Sequence, residues 1–86
     1  MTPRDPKRVL RVYGWQGHRG VGVTREIMAA RSKAEVARAL GLKRPAQVFN
    51  LSETGNADDI ATATTLPGVV LWRAIDDRDG EWQATQ

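Results

Sequence analysis

An α+β domain, with an antiparallel sheet of about four strands in two hairpins and two to three short central helices on one face, is predicted by three features of the sequence. Stretches rich in β-branched and aromatic residues lie near its two ends, around Val12-Tyr13 and Val69-Val70-Leu71-Trp72. A helix start signal, Ser32 with Glu35 three residues on, lies between them. Gly- and Pro-containing turns separate these segments. With 86 residues there is room for one hydrophobic core, so 8–86 is read as a single domain behind a flexible tail, 1–7, that carries Pro3 and Pro6.

The first strand is expected over 8–15, where Val9, Leu10, Val12, Tyr13 and Trp15 recur with strand-compatible spacing. Four of the eight glycines fall in 14–22, and Gly17-His18-Arg19-Gly20-Val21-Gly22 reads as the reversing loop of a hairpin. Strand two follows over 23–30, with Val23, Arg25, Ile27 and Ala29 on one face and Thr24, Glu26 and Met28 on the other. Ser32 and Glu35 form a capping box, Val36, Ala37 and Leu40 keep helical spacing, and Gly41-Leu42 supplies a Schellman stop, which together predict a helix over 33–40.

Between Lys43 and Thr54 the pattern fits two structures. Pro45 suits the first turn of a helix, whereas Val48-Phe49-Asn50-Leu51 is compatible with helix or strand; helix is the reading adopted. Asn56 then reads as an N-cap, with Asp58 and Asp59 near the positive end of the helix dipole, Ile60, Ala61 and Thr64 facing inward, and Leu66-Pro67-Gly68 ending the helix. A strand over 69–75, a turn at Asp79-Gly80 and a last strand over 81–84 complete the second hairpin. The expected core is Val12, Ile27, Val36, Leu40, Phe49, Leu51, Ile60, Val70 and Trp72.

The formal charge is +3, but residues 1–44 hold eleven Lys or Arg against three acids, and 45–86 hold two against seven. A field with a basic and an acidic side follows, able to attract a polyanion to the first and a basic partner to the second. No window approaches the ~20 apolar residues of a membrane span, and the N-terminus has no apolar signal region, so no membrane partner is expected. The absence of cysteine removes disulfides and thiolate metal sites and favours a reducing, cytoplasmic address.

Composition argues against an enzyme. His18 is the single histidine and there is no cysteine, which removes Cys-His dyads and most metal-ligand sets. His18 beside Arg19 has the makings of a general base next to a phosphate-binding arginine, but an exposed loop histidine is the simpler reading. A nuclease using His18, Arg19 and a carboxylate such as Glu53 is the enzymatic alternative. Asp76, Asp77, Asp79 and Glu81 lack the spacing of a calcium loop and read as a solvated turn, so no metal is expected. No cofactor is expected either, because the 17–22 loop shares only its glycine content with phosphate-cradling loops and joins two strands. Trp15, Trp72 and Trp82 fall on expected strands and read as packing, with base stacking as the alternative.

Residues 32–51 resemble a helix-turn-helix DNA-binding motif. Small Ala37 stands four residues before the turn residue Gly41, which allows a second helix to cross closely and to lie in the major groove. The second helix of such motifs wants apolar residues six and nine positions after the glycine, where this chain has Gln47 and Asn50; Val48 and Leu51 come one residue late. On this resemblance Arg38, Lys43, Arg44, Gln47 and Asn50, with Arg19 from the glycine loop, are the candidate nucleic-acid-binding residues. A helical hairpin capping the sheet is the structural alternative.

Tyr13-Gly14-Trp15, Thr24-Arg25-Glu26-Ile27, Ser32-Lys33-Ala34-Glu35, Glu53-Thr54-Gly55-Asn56 and Pro67-Gly68-Val69 resemble small uncharacterised accessory proteins of actinobacterial phages, over about residues 9–73. The resemblance implies expression in the cytoplasm of the bacterial host and a host-directed accessory role, with no activity assigned to any residue. Two partner classes stay open: nucleic acid through the basic half, or a host protein, or a second copy, through the sheet or the acidic end. Oligomeric state is not legible.

Overall fold

The computed structural model describes residues 10–77 and 80–85. The expected tail, the first two residues of expected strand one and the Asp79 position of the expected turn lie outside the described residues. Five strands form one antiparallel sheet: β1 (Arg11–Arg19), β2 (Gly22–Ala30), β3 (Ser52–Glu53), β4 (Leu71–Ala74) and β5 (Gln83–Ala84), in the order β3-β1-β2-β4-β5. Two helices, α1 (Lys33–Ala39) and α2 (Ala57–Thr65), and a single 3-10 turn at Pro45–Gln47 lie in the connections. The α+β class and the antiparallel sheet are as expected, with a fifth strand, β3, added at the β1 edge.

β1 and β2 run through the segment expected to be a loop. They pair from Arg11↔Ala30 to Arg19↔Gly22, so only Gly20 and Val21 reverse the chain, with Gly22 at a φ of 105°. Gly14 and Gly17 are strand residues for a packing reason. A Cβ on Gly14 would lie 2.7 Å from the Arg25 guanidinium, and one on Gly17 would meet the Glu26 carboxylate and the Thr24 hydroxyl. These glycines make room for charged side chains from the neighbouring strand.

The pairing parity divides the sheet into two faces, because side chains alternate along each strand. Tyr13, Trp15, Thr24, Glu26, Met28, Ala30 and Trp72 share one, and Val12, Arg25, Ile27, Ala29 and Leu71 the other. On the first face Tyr13, Trp15, Met28 and Ala30 pack with Val36 and Ala37 of α1, and with Val48, Leu40, Leu42 and Leu51. On the second, Val12, Ile27, Ala29 and Leu71 pack with Ala63 of α2, flanked by Val69 and Trp82. The helices therefore lie on opposite faces, which corrects the expectation of one covered face. It also explains why β2 is buried continuously over 26–30, as an inner strand covered on both sides.

α1 has the predicted ends. Ser32 Oγ accepts the Glu35 N–H at 3.2 Å, while Glu35 reaches back to the N–H of Arg31, one residue beyond the usual reciprocal partner. Gly41, at a φ of 75°, donates to Arg38 C=O at 3.1 Å and Leu42 donates to Ala37 C=O at 2.8 Å, the bond pair of a Schellman stop. Asn56 caps α2, its side-chain oxygen accepting from Asp58 N–H and Asp59 N–H at 2.9 and 3.0 Å.

The inward face of α2 is not the expected one. Asp59 and Ala63 are buried, whereas Ile60, Ala61 and Thr64 are exposed. Asp59 turns inward because Arg25 on β2 meets it at 2.8 Å and the Thr54 hydroxyl donates to it at 3.1 Å. The short Ala63 side chain lets the helix pack against the Ala29 region of the sheet. Of the expected core, Val12, Ile27, Val36 and Val70 are buried and Leu40, Leu51 and Trp72 half-buried, but Phe49 and Ile60 face solvent.

Candidate nucleic-acid interface

The fold divides its positive side chains into two sets. Arg11 meets Glu53 at 3.1 Å, Arg19 meets Glu26 at 2.8 Å, and Arg25 meets Asp59 at 2.8 Å. Arg73 lies 4.3 Å over the Trp82 ring and donates to Gly80 C=O. The remaining described cations, Arg31, Lys33, Arg38, Lys43 and Arg44, are all exposed, and none has a carboxylate partner among the described residues. They occur within fourteen consecutive positions, 31–44, where Glu35 is the single acid.

Local structure explains this set. Arg31 and Lys33 flank the N-cap, Arg38 is exposed on α1 whose buried side is Val36 and Ala37, and a cation in the last turn suits the negative end of the helix dipole. Lys43 and Arg44 follow the Schellman stop. Their backbone N–H groups both donate to Gln47 Oε1, at 2.9 and 3.0 Å, which fixes the chain path between α1 and the 3-10 turn.

The six candidate residues from the sequence separate on this surface. Arg38, Lys43 and Arg44 belong to the exposed basic set. Arg19 does not: its guanidinium bonds both Glu26 oxygens and lies 4.9 Å over the Trp72 ring. Gln47 uses its side-chain oxygen to cap the turn, and Asn50 occupies a left-handed turn position, φ 59°. The second helix of a helix-turn-helix motif is not formed. Pro45–Gln47 makes one 3-10 turn and Val48 is already extended, so no recognition helix carries Gln47 and Asn50. One apolar residue after the turn, Val48, is buried under the sheet and draws the segment flat against it.

The nuclease grouping is not assembled either. Glu53 stands opposite Tyr13 in the register, five strand positions from His18, a separation of about 17 Å along β1. Glu53 pairs with Arg11, and Arg19 with Glu26. Among the described residues no group of three or more His, Asp or Glu side chains is placed to hold a metal ion, and no helix is long and apolar enough to cross a membrane.

Sequence reasoning missed the position of Phe49, placed in the core but 64% exposed. It stands at the lip of an open hollow of about 340 Å³, lined also by Trp15, His18, Arg19, Leu42 and Gln47. Arg31 and Lys33 were also passed over as site residues, although the charge run that contains them is visible in the sequence. The chain matches no protein-family model, no curated protein and no solved structure.

Proposed function

We propose that the chain is a non-enzymatic nucleic-acid-binding module that grips the phosphate backbone through the basic surface around α1. One observation carries this reading: the fold pairs or stacks Arg11, Arg19, Arg25 and Arg73 internally and leaves Arg31, Lys33, Arg38, Lys43 and Arg44 exposed and unpaired among the described residues. A surface of this kind binds by releasing counterions from phosphates, so its affinity falls steeply with salt and depends little on base sequence. Such binding needs no helix in the major groove. The phage resemblance adds that such a module would work as an accessory protein in the cytoplasm of a bacterial host.

Fluorescence anisotropy with labelled DNA at low and high salt tests this reading. Binding at low salt that Arg38→Glu and Lys43→Glu each weaken is the expected result, and a parent protein that binds no DNA at low salt ends the proposal. The other partner class, a host protein, is favoured by the exposed acids Asp76, Asp77 and Glu81, which have no ion-pair partner among the described residues. A stoichiometric protein retained from nuclease-treated host lysate, without DNA binding, would select that reading.

A further inference from the structure

Aromatic side chains are divided in the same way as the cations. Tyr13 and Trp15 are buried, and Trp72 and Trp82 each lie under an arginine. Phe49, the one phenylalanine, is left with most of its surface in water. Exposed apolar side chains are common on protein surfaces, and Val21 is nearly as exposed at 62%, so what distinguishes Phe49 is its setting.

The support beneath Phe49 is firm. Gln16 N–H on β1 donates to Phe49 C=O at 3.2 Å, buried Val48 anchors the preceding position, and Asn50 turns the chain immediately after. The ring is thus presented from a fixed backbone and does not hang from a loose loop, so contact with a ligand orders little that is not already ordered. Beside it lies the open 340 Å³ hollow, lined in part by Trp15 and the Arg19–Glu26 pair, near the lower end of the ~300–1,000 Å³ of small-molecule sites. Gln47 lines this hollow and also holds the backbone of Lys43 and Arg44, so the residue that borders the hollow fixes the chain that carries two unpaired cations.

An exposed aromatic on an anchored backbone, five residues along the chain from the unpaired Arg44, has the components by which proteins hold single strands: cations follow the phosphates and the ring stacks on an unpaired base. We propose that Phe49 is a stacking platform for an unstacked base and that the surface therefore prefers single-stranded to duplex nucleic acid. In a duplex both faces of each base are already covered by its neighbours, so the ring has nothing to stack on. This inference rests on the nucleic-acid reading above.

The test is anisotropy with three labelled probes: a mixed-sequence single strand, the duplex of the same length, and an abasic phosphodiester strand. The parent is expected to bind the single strand about tenfold more tightly than the duplex, and Phe49→Ala to weaken the single strand by about five- to a hundredfold. Phe49→Ala should leave the duplex and abasic affinities unchanged, and Phe49→Trp should keep the single-strand preference. Because the side chain is exposed, both variants should retain the parental thermal unfolding midpoint. Equal parental affinity for single strand and duplex, or a Phe49→Ala loss shared by the abasic strand, overturns the stacking role while leaving the basic surface intact. A parent that binds none of the probes at low salt removes the basic-surface reading and the stacking role with it.

Discussion

The guanidinium of Arg19 closes over both carboxylate oxygens of Glu26, with Nε at 2.8 Å and Nη2 at 3.0 Å. The Thr24 hydroxyl donates to the same carboxylate at 2.6 Å, and Glu26 stands between Trp15 and Trp72 in the strand register. An ion pair thus sits within the sheet among indole rings, and Arg19 serves the fold before it can serve a ligand. The Glu26 side chain is 4% exposed and that of Arg19 30%.

That asymmetry predicts unequal losses. Arg19→Ala leaves a buried carboxylate with one hydroxyl partner and should cost about 2–3 kcal/mol, below the ~3–5 kcal/mol of a fully buried pair because the arginine end reaches solvent. Glu26→Gln leaves a cation that water can reach and should cost less, about 1–2 kcal/mol. Urea unfolding of the two variants decides, and an equal or reversed order would contradict the burial asymmetry.

Three of the four glycines of the first hairpin, Gly14, Gly17 and Gly20, should respond to alanine in a fixed order. Gly17→Ala drives a methyl into the Glu26 carboxylate, which three donors hold in place, and should cost about 1–3 kcal/mol. Gly14→Ala meets the end of an arginine whose side chain is 37% exposed and is held by one carboxylate, Asp59, so the guanidinium has more room to adjust than Glu26 and the loss should be smaller. At Gly20 nothing lies within 4 Å of an added Cβ, so Gly20→Ala should be close to neutral. Unfolding midpoints of the three variants check the ranking.

A double-mutant cycle on Arg25 and Asp59 should give a larger coupling than one on Arg11 and Glu53. Asp59 is 6% exposed and takes a second bond from Thr54, whereas both side chains of the Arg11–Glu53 pair are 52% exposed. The exposed pair should couple by less than about 1 kcal/mol, and raising the salt concentration should reduce it further. Removing Arg25 alone should be the costlier single change on that face, because it leaves a buried carboxylate supported only by Thr54 and the helix N-terminus.

What was legible in the sequence was what neighbours in sequence decide. Ser32 with Glu35, Gly41 with Leu42, and Asn56 each act within one helical turn, and all three caps formed. What was not legible depends on distant partners. Gly17 looks like a loop residue until Glu26 is seen lying over it. The inward rotation of α2 follows from a pair 34 positions apart, Arg25 and Asp59, and not from the apolar spacing of Ile60 and Ala61. Phe49 is apolar enough to be expected in the core, but its neighbour Val48 takes that place and the two adjacent residues do not both point inward. The charge run over 31–44 was visible, but which arginines would be used up by carboxylates was not.

That last distinction can be measured by salt dependence. If Arg38, Lys43 and Arg44 each neutralise a phosphate, replacing all three with Gln should reduce the slope of log K against log salt by about 2 on a single strand, at ~0.7 per contact. Arg11→Gln combined with Glu53→Gln removes a cation already matched by its own carboxylate and leaves the net charge unchanged, so the slope should stay at the parental value. All five residues are exposed, and both variants should remain folded. A slope that falls equally in both would mean that diffuse charge, and not the set of cations left unpaired around α1, governs binding.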